Sequence, residues 1–161
     1  MLSAGIVVWR RVDGTDRSRI EVLLGHMGGP FWARKDNGAW SIPKGLPEAG
    51  EAPIDAARRE FTEELGMALP PGELVDLGEF RQSSKKTITV WALQLHETGA
   101  FDLDAIESNT FEMEWPPRSG RTASFPEIDR AAWFDLDTAQ RKAVSGQSPV
   151  FDRLADTIDA D

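Results

Sequence analysis

The sequence has 161 residues, enough for one domain with a sizeable core, and 40% hydrophobic against 28% charged residues is the balance of a folded chain, not a disordered one. With 27 Asp plus Glu against 18 Lys plus Arg, the net charge of −9 argues against binding a nucleic-acid polymer, while a bound metal ion would still admit a small phosphorylated ligand. Zero cysteine excludes a disulfide framework, a thiolate zinc centre and a cysteine nucleophile. The apolar start from Met1 to Trp9 meets Arg10 and Arg11 too soon for a signal or a membrane span, so it reads as a strand of a cytoplasmic protein with no membrane partner. Residues 4–11 and 20–26 are two apolar runs about a polar stretch, Asp13 to Asp16, a hairpin pattern with a long loop. Residues 39–42 form a short extended piece halted by Pro43. At Pro53 the period becomes helical and stays so to Leu65; Pro53 suits a first turn and Gly66 the position just past the end. Strand patterns follow at 74–82 and 87–96, then an acidic irregular stretch at 97–110. Residues 115–121, with two prolines and a glycine, read as an ordered loop. A last short strand at 131–134 precedes two helices, at 137–144 and 149–158. No repeat, low-complexity tract or linker divides the chain, so one domain over 1–161 is expected. Strands interleaved with a few helices predict an α/β fold, a mixed sheet packed on both faces.

The helix from Pro53 to Leu65 carries an unusual charge pattern. Ile54, Ala57, Phe61 and Leu65 make its apolar stripe at about 100° per residue. Glu60 and Glu64 lie about 40° apart and Glu63 about 60° further round, all beside that stripe. Arg59 is spaced to relieve Glu63 at i,i+4, which leaves Glu60 and Glu64 with no basic partner on the helix. A hard divalent cation, Mg²⁺ or Mn²⁺, would offset their repulsion through oxygen ligands.

Around this helix the spacing is specific. Gly45, five residues, Glu51, seven residues, Arg59-Glu60-Phe61, one residue, Glu63-Glu64, one residue and Gly66-Met67 fill all nine defined positions of the Nudix box. A chance match in a chain of this length is on the order of 10⁻⁷ or less. The chain therefore resembles the Nudix hydrolases. Trp40-Ser-Ile-Pro-Lys44-Gly45 is similar to the family's strand entering the box. The segment from Phe125 through Glu127 to Phe134 is similar to its Glu-containing loop before the last strand, and the segment from Asn109 to Arg118 to a bacterial subgroup. The resemblance implies an α/β/α sandwich with the box on a loop-helix-loop.

It also implies hydrolysis of a pyrophosphate bond in a nucleoside diphosphate derivative, with Mg²⁺ as cofactor and Mn²⁺ as a substitute. Glu60 and Glu64 would be the main metal ligands, Glu63 a further ligand or a base, and the Gly45 carbonyl another ligand. Arg59 with Glu51 would orient them. For the general base Glu127 leads, Glu63 follows, and Glu112 and Glu114 come after. Lys44, Arg81 and Arg118 are the candidate phosphate contacts, Arg118 with Arg121 only if their loop folds over the site. Of the six tryptophans, Trp9, Trp91 and Trp133 read as core, and Trp32, Trp40 and Trp115 as candidates for stacking on a base. His26 and His96 have no assigned role. The expected substrate is a small nucleotide, a dinucleoside polyphosphate such as diadenosine tetraphosphate by resemblance of the Trp40-to-Gly45 entry. The alternatives are a pyrophosphohydrolase that cleans nucleoside triphosphate pools, and a nucleotide-binding module without turnover.

Overall fold

The computed structural model describes residues 1–12, 20–96 and 101–160. The polar turn expected between the first two strands therefore falls outside the described residues, as does the start of the acidic stretch. The strands are β1 (Leu2–Arg11), β2 (Ile20–Met27), β3 (Trp40–Ser41), β4 (Lys44–Gly45), β5 (Val75–Arg81), β6 (Thr87–Gln94), β7 (Thr110–Glu114), β8 (Thr122–Pro126) and β9 (Ile128–Asp135). The helices are α1 (Pro53–Leu65), α2 (Leu136–Lys142) and α3 (Ser148–Asp159), with a 3₁₀ turn at Leu103–Ala105.

Seven strands make the main sheet, in the order β3-β2-β1-β6-β5, with β4 on β1 and β9 on β2. β1 and β6 run parallel from Leu2↔Thr87 to Trp9↔Gln94, and the remaining pairs are antiparallel, so the sheet is mixed as expected. Both faces are covered, which is why β1 reads as a continuous apolar run and not as an alternation. Ile6 and Val8 point to one face, into a core with Phe61 and Leu65 of α1. Val7 and Trp9 point to the other, with Phe151 and Leu154 of α3 and Ala139 of α2. The chain is thus an α/β/α sandwich. Among the described residues no helix is long and apolar enough to cross a membrane.

α1 has the bounds its sequence dictates. Pro53 opens it, and Gly66 closes it in the left-handed region at φ 67°, its N–H donating to the Thr62 carbonyl at 2.7 Å. Glycine is needed there twice over, since a Cβ would also overlap the Glu107 carbonyl. α2 and α3 start one residue earlier than their patterns suggest, and α2 also ends two residues sooner, at Lys142.

The β7–β8 hairpin was not expected. Its strands pair from Thr110↔Pro126 to Glu114↔Thr122 as a separate two-stranded sheet, and the loop at 115–121 is its turn. The strand at 131–134 likewise extends back to Ile128. Phe111, Met113, Ala123 and Phe125 do alternate with polar residues, but over only five residues in each strand, so short a pattern that it is absorbed into the loops around it.

Candidate active site

The box folds around its own arginine. From Arg59, Nε and Nη2 donate to the two oxygens of Glu51 at 3.0 and 2.9 Å, a bidentate pair. Nη1 donates to Glu60 Oε1 at 2.9 Å and to Glu63 Oε2 at 3.0 Å, and Nη2 also reaches the Leu46 carbonyl at 3.1 Å. Glu51 accepts the Glu48 N–H at 2.9 Å as well, closing the loop before the helix. The Arg59 bonds, with that N–H, hold the Glu51 carboxyl below its usual range, and the Glu51 contact raises the Arg59 pKa. The expectation that Glu60 lacks a basic partner on its helix is corrected here. Arg59 is its sequence neighbour, and a single guanidinium nitrogen reaches both Glu60 and Glu63.

Glu64 sits deeper than its place beside the apolar stripe suggested, only 8% exposed. Its Oε1 accepts the Lys44 N–H at 2.9 Å, which ties α1 to β4. Burial pushes its pKa from 4.5 to about 8; the Lys44 N–H opposes the shift, and nearby Glu60 and Glu127 reinforce it. Glu60 is raised too, first by burial, against the pull of Arg59, with Glu63 and Glu127 adding repulsion. Gly45 is pressed on Glu60 so closely that a Cβ would overlap the Glu60 carboxyl and push it aside. β4 presents Lys44 and Gly45 by pairing them with Gly5 and Ala4 of β1.

Lys44, Gly45, Arg59, Glu60, Glu64 and Glu127 line one cleft of about 390 Å³. Glu127 enters from the turn between β8 and β9. Its N–H donates to the Asn109 carbonyl and its carbonyl accepts from Gly28 N–H, both at 2.9 Å. Glu63 faces Arg59 and does not line the cleft, although its carbonyl accepts the Asn109 N–H at 2.8 Å. Of the expected phosphate contacts only Lys44 is in the lining. Arg81 is exposed at the end of β5, and Arg118 is exposed in the hairpin turn. Glu112 and Glu114 are exposed on β7, also outside it.

Sequence reasoning missed Ser3, Met27 and Asn109 as cleft residues. Ser3 arrives only because its neighbour Ala4 pairs with Gly45, and nothing in the chain signals that pairing. Among the tryptophans, Trp40 is corrected from stacking candidate to core. It is 5% exposed, packs edge-on against Phe134, and donates from Nε1 to Asp36 at 2.9 Å. Trp32 is half-buried, Trp115 is exposed, Trp9 is buried as expected, and Trp91 and Trp133 are only half-buried.

Among the described residues no group of three or more His, Asp or Glu side chains is already closed around a point that could hold a metal. Glu60 and Glu64 are instead partnered by Arg59 and the Lys44 N–H. The donor chemistry nonetheless fits a hard divalent ion: oxygen donors alone, two of them carboxylates disfavoured as bare charges by burial and by each other.

A NUDIX domain model matches residues 1–154. An octanoyltransferase of Myxococcus xanthus is 35% identical over 102 residues, 63% of this chain, and the chain covers 24% of that protein's length. An Ap4A hydrolase of C. elegans, in a binary complex, has a similar fold over 99% of this chain and 98% of its own, with a TM-score of 0.67 and 20% identity. The NUDIX domain of Shewanella oneidensis NrtR, complexed with ADP ribose, is similar over 98% and 88% respectively, with a TM-score of 0.61 and 11% identity. With the box complete, Gly45, Arg59, Glu60 and Glu64 of it lining one cleft and the family match spanning nearly the whole chain, the protein belongs to the Nudix family.

Proposed function

We propose that this chain is a Mg²⁺-dependent cytoplasmic hydrolase of nucleoside polyphosphates, with dinucleoside polyphosphates such as diadenosine tetraphosphate as its preferred class. The observation that carries the reading is the convergence of Glu60, Glu64 and Glu127 with Lys44 in one cleft. The likeness to the Ap4A hydrolase fold and the Trp40-to-Gly45 entry support the substrate class.

Glu60 and Glu64, with the Gly45 carbonyl, would hold the divalent ion, Glu63 supporting them from the rim. When bound, the ion neutralises phosphate charge and makes water more acidic. Arg59 clamps Glu60 and Glu63 against Glu51, which fixes the carboxylates before substrate arrives. Lys44 lends positive charge to the phosphate chain from the edge of β4. Glu127, anchored at both ends of its peptide, takes the proton of the attacking water. A water attacking phosphorus splits one P–O–P bond and leaves two phosphorylated products.

The test is product-resolved hydrolysis of diadenosine polyphosphates, common NTPs and dNTPs, ADP-ribose and NADH with Mg²⁺, with EDTA as control. Diadenosine tetraphosphate should be cleaved with the highest kcat/KM. A clear preference for one NTP would overturn the substrate class, and binding without any turnover would overturn the enzymatic reading.

A further inference from the structure

His26 is a fully buried titratable side chain that the cleft chemistry does not use. It sits on β2, with Nδ1 2.8 Å from Asp129 Oδ1 and Nε2 2.7 Å from the Lys35 carbonyl. The ring thus bridges a carboxylate oxygen on one side and a main-chain carbonyl on the other. Trp40 stands edge-on to it at 5.1 Å and limits any swing of the imidazole. Arg130 also reaches Asp129 Oδ1, more loosely, at 3.4 Å.

The place where this ring holds Asp129 is unusual. Along β2 and β9 the register is regular from Glu21↔Asp135 to His26↔Arg130, then shifts, so that Met27 pairs with Ile128. Asp129 is the extra residue, without an opposite on β2. An extra residue of this kind bends its strand and re-aims the side chains beside it. Glu127 is two residues upstream, at the cleft. The other arm of His26 holds Lys35 in the segment between β2 and β3, and the first residue of that segment, Gly28, donates its N–H to the Glu127 carbonyl. That approach is so close that a Cβ on Gly28 would overlap the Pro126 carbonyl. One ring thus ties together two of the segments that fix the main chain around Glu127; the third, Ser108-Asn109, accepts the Ile128 and Glu127 N–H groups.

We propose that His26 and Asp129 are positioning residues, whose contact sets the irregularity at Asp129 and through it the placement of the Glu127 carboxylate in the cleft. The inference rests on the reading of Glu127 as the base. Displacement of Glu127 in Asp129→Ala would lower kcat with little effect on KM, because the phosphate contacts at Lys44 lie on another element. A shift of about 1 Å in a reacting group costs on the order of 100-fold, so a tenfold or larger loss of kcat is expected, with KM within about threefold. Asp129→Asn keeps an acceptor for Nδ1–H and should recover most of the loss. In a Glu127→Gln background, Asp129→Ala should lower kcat little further.

The decisive measurement pairs these kinetics, on diadenosine tetraphosphate, with a crystal structure of Asp129→Ala. Asp129 has a side chain 30% exposed, so its variants report even where the buried His26→Gln substitution fails to fold. A Glu127 carboxyl withdrawn from the cleft supports the proposal. An unmoved Glu127, or the same fold-loss with and without Glu127→Gln, overturns it. Should Glu127→Gln alone leave kcat intact, the base assignment falls, while the position of Glu127 in the Asp129→Ala structure still decides the positioning role.

Discussion

Replacing Glu64 by Gln should destroy turnover and, without metal, stabilise the protein at alkaline pH. The folded state raises the Glu64 pKa from 4.5 to about 8, chiefly by burial. A carboxyl with a raised folded pKa contributes its stability fully below the unfolded value and loses it as pH climbs through the folded one. At about 1.4 kcal/mol per pKa unit, a buried Glu64 costs the metal-free fold about 3 kcal/mol at pH 7, where the folded carboxyl still holds its proton, and about 5 kcal/mol at pH 9, and almost nothing at pH 4. Gln keeps an oxygen for the Lys44 N–H and cannot ionise. Its buried amide N–H groups add a pH-independent penalty of about 1–3 kcal/mol where they lack partners. The difference in slope is therefore the diagnostic, not the offset at any one pH. Urea denaturation in EDTA at pH 5, 7 and 9 measures it: the wild type should lose stability relative to Glu64→Gln by about 4 kcal/mol across that span. Parallel curves for the two proteins would refute the reasoning, because a Glu64 that ionises without cost is not desolvated as described. Near-wild-type kcat with Mg²⁺ in Glu64→Gln would separately refute its assignment as a ligand.

The same linkage predicts that Mg²⁺ raises Tm more at pH 8 than at pH 6, since Glu60 and Glu64, both raised by burial, must shed protons to bind it; a pH-independent shift in differential scanning fluorimetry would count against them as ligands. Gly45→Ala should lower kcat by on the order of 100-fold, because the new methyl group displaces the Glu60 carboxyl, and Mg²⁺ affinity by calorimetry should fall with it. Arg59→Lys should cost about 1–3 kcal/mol in urea denaturation and lower activity, because a single ammonium cannot reproduce the bidentate bond to Glu51 together with those to Glu60, Glu63 and the Leu46 carbonyl. An unchanged midpoint for that variant would mean the guanidinium hub is dispensable to the fold.

What the sequence shows and hides follows from how far apart the interacting residues lie. From Gly45 to Met67 the site is built from 23 consecutive residues, so the helical period, the Pro53 start, the Gly66 stop and the acidic pattern all express one local structure. Even inside that span the energetics escaped the pattern. Angular spacing puts Glu64 at the edge of the stripe, whereas packing of α1 on β1 and β4 buries it, and only burial makes its carboxyl a poor charge. The cleft's other wall is assembled from distant chain. Ser3 and Asn109 carry no signal of their own, and the β7–β8 hairpin that sets Asn109 beside Glu127 alternates over only five residues in each strand.

His26 shows the same limit most clearly. Read alone it is a histidine ending a strand, and its role depends on Asp129, 103 residues on, and on a one-residue shift in register that no periodicity records. The box was legible because an ion site made of carboxylates needs several donors at fixed helical intervals, and a contiguous helix supplies those intervals directly. A single proton acceptor has no such requirement. It needs one carboxyl at the right place on any element that reaches the cleft, and its position is then a property of the tertiary contacts behind it. Features of the first kind can be read from a chain, whereas those of the second kind require the fold, and here the contact proposed to carry the requirement is the one between His26 and Asp129.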